Sequence, residues 1–199
     1  LYVTGNQVMN DDSTGVIQIR GNGIVIDSLN NTTILAGEIY VSKKNNSFLA
    51  TRKPLMIIKQ DNDSIYVTAD TLFSARLSDL YGVKDSIVKD TVKGIKLVKL
   101  NDNKDSTNRY FEAYRNVRIF SDSLQAVSDS LFYSFKDSVF RFYQDPVIWA
   151  KESQITGDTI RLFTKNKKAD RFEVVDNSFL VNKSNPEIYN QVKSSRMDG

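Results

Sequence analysis

Apolar and polar residues alternate in short segments along most of the chain. In SVFRFY (138–143), Phe140 and Phe142 point to one side of an extended backbone, and Arg141 points to the other. β-branched and aromatic residues dominate these segments, and clusters of Asn, Asp, Ser, Gly and Lys separate them. The pattern predicts an all-β protein. The one weak helical candidate is SARLSDLY (74–81).

Two long segments of the chain repeat each other. PLMIIKQDNDSIYVTADTLF (54–73) matches DPVIWAKESQITGDTIRLF (145–163), and one common shift places Phe48 on Phe140 and Pro54 on Pro146. GIVI (23–26) falls near NVRI (116–119) in the same alignment. We therefore expect two similar halves, 1–100 and 111–199, joined by a polar loop over 101–110 into one continuous structure.

A shorter signal recurs between the segments: Asp, then Ser or Thr, then an apolar residue. It could supply carboxylates for metal binding or acid–base chemistry, or it could form turns in which Asp and Ser bond to nearby backbone. Its spread along the chain favours turns. The calcium-like stretches DNDS (61–64) and NDNKDS (101–106) lack the glycine and glutamate of an EF-hand. The Asp residues of this signal are Asp27, Asp63, Asp70, Asp85, Asp90, Asp122, Asp129, Asp137 and Asp158.

Composition narrows the possible chemistry. The 199 residues include neither cysteine nor histidine, so thiolate nucleophiles, Ser-His-Asp triads and Cys/His zinc sites are excluded. No catalytic residue, metal or cofactor is predicted. The net charge of +3 comes from basic residues interleaved with Asp, which argues against nucleic acid. The basic stretch KNKK (165–168) reads as a solvated hairpin tip or, alternatively, a contact for anionic headgroups. Leu1 already lies in strand-like sequence, so we expect a mature or trimmed form.

Residues 111–193 resemble the OstA/LptA family of lipopolysaccharide-transport proteins, in particular the OstA-like proteins of Bacteroidetes-type Gram-negative bacteria. The resemblance is carried by YRNVRIFSDSLQAVSDSLFYSFKDSVFRFYQDPVIWAKESQITGDTIRLF (114–163), by the strand sequence that follows it, and by YNQVK (189–193). Residues 21–75 fit the same pattern more loosely, with ADTLF in place of GDTIRLF. The lysine-rich insert 77–109 departs from it.

The resemblance implies a V-shaped β-jelly roll, or β-taco, of stacked antiparallel strands. It also implies a non-catalytic periplasmic or outer-membrane-associated protein that shields the acyl chains of lipopolysaccharide in an apolar trough. Its partners would be lipopolysaccharide and other jelly-roll proteins of the same transport system, or further copies of itself, joined by edge-strand addition. We expect residues 2–8 and 179–192 to lie near the open edges of the roll.

Alternation within the strands selects the candidate lipid-facing residues, and a one-residue slip in register would reverse each assignment. The bland alternative is that they are ordinary sheet core. The candidates are Phe48, Leu55, Ile57, Val67, Leu72, Phe140, Phe142, Val147, Trp149, Ile155, Ile160 and Leu162.

Two other functional classes share these features. A cell-surface β-solenoid or adhesin-like module that binds glycan or protein would also show repeats and polar turns, together with exposed aromatic platforms and often calcium loops, which are not evident in this sequence. An enzyme on a β-helix scaffold would use paired carboxylates. Nine of the 19 Asp residues lie in the recurring turn signal, and no separate acidic pair stands out, which disfavours the enzyme.

Overall fold

The computed structural model describes residues 1–28, 31–59, 64–81, 87–90, 94–97, 108–165, 168–185 and 187–199. Over these residues the protein is all-β, apart from one short helix, and its strands pair antiparallel. The elements are β1 (Tyr2–Thr4), β2 (Gln7–Asp11), β3 (Val16–Asp27), β4 (Thr32–Ser42), β5 (Ser47–Thr51), β6 (Leu55–Lys59), β7 (Ser64–Thr68), β8 (Thr71–Ala75), α1 (Leu77–Tyr81), β9 (Ile87–Asp90), β10 (Gly94–Leu97), β11 (Tyr110–Phe120), β12 (Leu124–Ser134), β13 (Val139–Tyr143), β14 (Val147–Ala150), β15 (Ser153–Thr156), β16 (Thr159–Lys165), β17 (Lys168–Lys183) and β18 (Tyr189–Asp198).

A 16-stranded sheet folds into two walls, because each long strand pairs with different short strands along its two parts. In β11, residues 110–114 pair with β8, whereas residues 118–120 pair with β7. In β12, residues 130–134 pair with β13, and residues 124–127 pair with β14. Wall 1 contains β2, β5, β8, β13 and β16; wall 2 contains β1, β6, β7, β14 and β15; the long strands β3, β4, β11, β12, β17 and β18 belong to both.

The walls meet at a corner built from pairs of residues in the left-handed conformation. Three of these pairs interrupt the register of a long strand, and two lie between short strands and precede Pro54 or Pro146. Few non-glycine residues adopt positive φ, and Asn and Asp do so most readily. The five pairs are Gly21–Asn22, Arg52–Lys53, Arg115–Asn116, Gln144–Asp145 and Asp176–Asn177.

Side-chain bonds hold neighbouring corners together. Asn116 Nδ2 donates to both carboxylate oxygens of Asp70 at 3.1 Å, and Asn177 Nδ2 donates to those of Asp158 at 3.0 and 3.1 Å. The backbone N–H of each Asp donates to the facing corner, at 2.9 Å from Asp70 to Arg115. Two members of the recurring Asp-Thr signal, in VTADTL and ITGDTI, are therefore corner residues.

The corner also requires small residues. A Cβ atom at Gly157 would lie 2.3 Å from Val174 Cγ1, which no side chain can tolerate without displacement of the strand. Pro54 and Pro146 are almost completely buried there, each just before a wall 2 strand. The shared sequence features of 54–73 and 145–163 thus occupy corresponding places: β6, β7 and β8 in one, β14, β15 and β16 in the other.

The outer face of wall 1 carries interlocking charges. Glu38 receives hydrogen bonds from Gln18, Arg20 and Tyr40, and hydrogen bonding from Tyr40 is the main cause of its lowered pKa. Glu173 lies between Arg161, at 2.9 Å, and Arg196, so one carboxylate joins β16, β17 and β18. These contacts join neighbouring strands of wall 1 on its solvent-facing side.

The two ends of the sheet are open edges. In the part of the chain that the structure describes, β1 and β2 pair with β3 alone, and β18 pairs with β17 alone. Residues 2–8 therefore lie at one edge. Of residues 179–192, those in β18 lie at the other edge, whereas β17 is paired on both sides.

The remaining sequence expectations are met in part. The helical candidate 74–81 is helical only over Leu77–Tyr81, since Ser74 and Ala75 complete β8. Lys165 pairs with Lys168 as a hairpin requires, while residues 166–167 lie outside the described residues. Residues 101–107 of the expected loop, and much of the insert 77–109, also lie outside them; β9 and β10 form a separate two-stranded sheet. No helix among the described ranges is long and apolar enough to cross a membrane.

Replacing Asn116 tests the corner. We expect Asn116→Gly, which tolerates positive φ but loses the bonds to Asp70, to lower the free energy of unfolding by about 1 kcal/mol. Asn116→Val should cost about 1–2 kcal/mol more, because a β-branched residue resists the left-handed conformation. Urea unfolding measures both, and equal losses would contradict the proposed role of the backbone conformation.

We expect the ion pairs of Glu173 to make a pH-dependent contribution to the free energy of unfolding. The hydrogen bond from Arg161 lowers the pKa of the Glu173 carboxyl in the folded protein. A carboxyl with a lowered folded pKa stabilises the protein above its unfolded pKa of about 4.3, and this stabilisation is lost as pH falls through the folded value. Glu173→Gln should therefore be less stable than the wild type at pH 7, and the difference should shrink below about pH 4. A difference that is independent of pH would exclude this ion pair as its cause.

Candidate functional site: an apolar trough between two walls

The inward faces of the two walls form one apolar core. On wall 1 a row beside the corner, here called the inner row, is almost fully inaccessible, with Ile19, Phe142 and Ile160 at 0% exposure. Its members pair laterally from strand to strand. The inner row contains Ile19, Ile39, Ala50, Leu72, Ala113, Leu131, Phe142, Ile160 and Val174.

Burial decreases from the corner toward the turns that end the two walls. Two residues further along the strands, several inward side chains are only partly buried although they pack on the same core, whereas Ile17, Phe111 and Leu162 at this level of wall 1 are still buried. The space between these ends is here called the mouth of the trough, and its partly buried apolar residues are called the mouth row. The mouth row contains Val41, Phe48, Tyr133, Phe140 and Phe172 of wall 1, and Ile58, Ile65 and Leu124 of wall 2.

Aromatic rings concentrate at one part of the mouth. Tyr133 and Phe140 pair across β12 and β13, and their ring centroids lie 4.2 Å apart. Phe135, which is 42% exposed, packs edge-on against Tyr133 at 4.9 Å, and Phe142 lies behind Phe140 at 6.2 Å. The rings run from solvent to the inner row, so this part of the mouth offers continuous apolar surface from outside to inside.

The structure places most of the sequence-selected residues inside the trough. Phe142, Ile160 and Leu72 belong to the inner row; Phe48 and Phe140 belong to the mouth row. Val67, Ile155 and Leu162 are also buried in the core.

The other four sequence-selected residues face outward, which corrects their expected orientation. Met56 and Ile148 are buried in the core, and their strand neighbours Leu55, Ile57, Val147 and Trp149 lie on the opposite face. The error arises at the corner. The expected inward positions Leu55 and Val147 require the alternation to reverse between the strands, but each left-handed pair continues it, so that buried Pro146 follows Phe142 on the inward side. Pro54 and Pro146 themselves point inward, and recognising this would have given the correct orientation of the strands that follow them.

Wall 2 consequently has an apolar outer face. Ile57 pairs with Tyr66, Tyr66 with Phe120, and the same lateral line continues through Gln125 to Trp149. Tyr66, Phe120 and Trp149 are 40%, 50% and 38% exposed, respectively. This line, residues Ile57, Tyr66, Phe120, Gln125 and Trp149, is here called the outer row. The outer face of wall 1 differs from it, since it combines the charges around Glu38 and Glu173 with an aromatic cluster of Phe73, Tyr110 and Phe132.

Several polar side chains in the described part of the chain form turns and corners. No group of three or more His, Cys, Asp or Glu residues is arranged there to hold a metal ion. Asp137 accepts a bond from the Val139 N–H at 3.1 Å, as expected of a turn residue. The arrangement is suited to apolar contact along its length rather than to a compact polar site.

Comparison with known proteins gives a structural likeness only. No protein-family model matches the chain, and no curated protein matches its sequence. A solved structure of LptH from Pseudomonas aeruginosa, described as the LptA-homologous periplasmic component of the conserved lipopolysaccharide transport device, is similar over 96% of this chain and 92% of its own, with 10% sequence identity and a TM-score of 0.31.

The burial gradient predicts different costs for two neighbouring phenylalanines. Phe142→Ala removes a fully buried ring and should lower the free energy of unfolding by about 3–5 kcal/mol. Phe140→Ala removes a ring that water already reaches, and should cost about 2 kcal/mol or less. Chemical denaturation of both variants checks this order, and an equal or larger cost at Phe140 would contradict an open mouth.

Proposed function

We propose that this protein is a non-catalytic carrier of lipopolysaccharide that holds lipid acyl chains at the mouth of the trough. The observation that carries the proposal is the mouth row: apolar side chains, from both walls, that pack on the core yet remain partly open to solvent. The residue pattern shared with lipopolysaccharide-transport proteins supports the choice of ligand.

Hydrocarbon transfer explains how such a site would work. Each methylene moved from water into apolar surroundings contributes about 0.8 kcal/mol, so several chains together are held strongly. Apolar side chains of the mouth row recur along the roll, with an interruption at Ser74, and offer a chain similar contacts at successive positions. A chain can therefore shift along it while most of its contacts are replaced, which suits transport better than storage.

The binding step requires the walls to separate. The inward side chains of both walls already pack in one core, and the mouth row packs against it, so an acyl chain must enter between the walls rather than fill an existing void. The corner stays joined by its hydrogen bonds, and the inner row stays packed. Opening at the mouth then exposes the partly buried residues first.

The proposed setting is the periplasm, where the carrier would be joined to similar jelly-roll proteins or to further copies of itself. The support is the pair of open edges, β1 and β2 at one end and β18 at the other. Each presents unpaired backbone groups to which a strand of another roll can add. Addition at both ends would extend the trough in one direction.

Photo-crosslinking to lipopolysaccharide tests the proposal. A photoreactive residue replaces Phe140 in the mouth, Arg141 on the outer face of wall 1, or Trp149 in the outer row. Phe140 and Arg141 are adjacent in β13, so they differ in the face they present but share the same local backbone. We expect lipid adducts at position 140 and none at position 141.

The remaining outcomes are distinct. Absence of adducts at all three positions, in folded protein with lipid present, would remove the reason for calling it a lipid carrier. Adducts at position 149 without adducts at 140 would move the lipid to the outer face and contradict the trough.

The outer row favours a second candidate function. Exposed aromatic residues beside an amide, as in Phe120, Gln125 and Trp149, suit a glycan- or protein-binding surface. Trp149 Nε1 already donates to Gln154 at 2.9 Å, which fixes its ring. Binding of polysaccharide that is lost in Trp149→Ala but kept in Phe140→Ala would support this function over lipid transport.

A further inference from the structure

One cation lies at the mouth of the trough. Arg109 directly precedes β11, and its guanidinium donates to Ser74 Oγ at 3.3 Å and to Asn46 Oδ1 at 3.2 Å. Ser74 pairs with Phe48 on one side and with Phe111 on the other, so it occupies a polar position within the lateral line of the wall 1 mouth row. Arg109 therefore reaches into the apolar mouth from its rim.

The surroundings of Arg109 leave capacity for an anion. Among the described residues its guanidinium donates these two bonds, to neutral oxygens, and its remaining N–H groups have no partner there. Burial lowers the pKa of Arg109, and the negative charge of Asp27 opposes this shift. Guanidinium stays protonated in proteins, so a positive charge is kept in a partly desolvated position. Such a charge attracts an anion more strongly than one in open water.

A second arginine adds positive charge at the same rim. Arg76 Nη2 donates to the Lys44 carbonyl at 2.8 Å, in the turn that also contains Asn46. Its ion pair with Asp79, at 3.6 Å, is partly exposed. Arg109 and Arg76 thus both lie near the place where the apolar line of wall 1 is interrupted by Ser74, and Asp79 offsets the charge of Arg76.

We propose that Arg109 forms an oxyanion-binding site at the mouth of the trough, and that it recognises a phosphate group. This inference rests on the proposed function for the source of the phosphate, the headgroup of an amphiphile whose acyl chains lie along the mouth row; free phosphate is the alternative source. The planar fork of guanidinium matches two phosphate oxygens. Ser74 and Asn46 hold the fork in place.

The carboxylate of Asp27, on wall 2, competes with a bound anion for the positive charge of Arg109. It lies at the end of β3 in wall 2, and its charge acts on Arg109 across the mouth. An anion that binds Arg109 replaces this attraction.

Calorimetry with matched ligands tests the site. Full-length protein is titrated with lipid A that carries both phosphates, with chemically dephosphorylated lipid A, and with inorganic phosphate. Wild type should bind the phosphorylated lipid at least about tenfold more tightly than the dephosphorylated one, which corresponds to about 1.4 kcal/mol. Arg109→Gln should abolish this preference without changing the affinity for dephosphorylated lipid.

Three further variants control the experiment. Arg118→Gln removes an exposed arginine from the outer face of β11, the strand that Arg109 precedes, and should leave the preference unchanged. Arg109→Lys should retain part of it, because the charge remains while the fork is lost. Asp27→Asn should increase affinity for the phosphorylated lipid. Thermal unfolding of each variant verifies that it is folded.

The outcomes separate this site from the carrier function. If both lipids bind equally to wild type, or if Arg109→Gln weakens both equally, the anion site is wrong and the carrier function stands. If neither lipid binds but inorganic phosphate binds to wild type and not to Arg109→Gln, the site is supported as a free-phosphate site and the carrier function fails. If no ligand binds, both are overturned.

Discussion

The corner between the two walls is the constraint on which the rest of the molecule depends. Each left-handed pair turns the sheet without reversing its side-chain alternation, so residues on the same side of a strand stay on the inside of both walls. Bonds such as those from Asn116 to Asp70 and from Asn177 to Asp158 join the corners along the roll. Because successive strands bend at the same line along the sheet, the inner faces of its two walls pack against each other. No second sheet or layer of helices is needed to cover them.

Because the walls are joined only at the corner, side chains near the corner are more deeply buried than those at the mouth. Residues next to the corner, such as Phe142 and Ile160, are sealed by both walls, whereas Phe140 and Phe48, two positions further out, still meet solvent. The same sheet can therefore be rigid at its corner and separable at its mouth. That combination is what a carrier of acyl chains requires, since the ligand must enter from the side and leave again. An enclosed barrel would bind hydrocarbon but would slow its release.

Much of this architecture follows from sequence pattern. Alternation within SVFRFY and its neighbours predicts the strands, and the match of 54–73 with 145–163 predicts elements that occupy corresponding places. The face to which Leu55, Ile57, Val147 and Trp149 point could not be predicted in the same way. It depends on the backbone conformation of the two residues before each proline, which determines whether the side-chain alternation continues or reverses. The role of Arg109 was also hidden: its sequence neighbourhood is polar, and only the lateral pairing of Ser74 with Phe48 and Phe111 places it at an apolar mouth.

The central claim is that the walls separate at the mouth while the corner stays closed. Pulsed electron spin resonance measures this directly, and the absence of native cysteine allows labels to be placed at will. Labels at Lys136 and Lys151 sit in turns that end wall 1 and wall 2, and a control pair at Arg115 and Gln144 sits in neighbouring corners. Addition of lipopolysaccharide should lengthen the distance across the mouth and leave the corner distance unchanged. An unchanged mouth distance with lipid bound would place the ligand outside the trough and contradict the account.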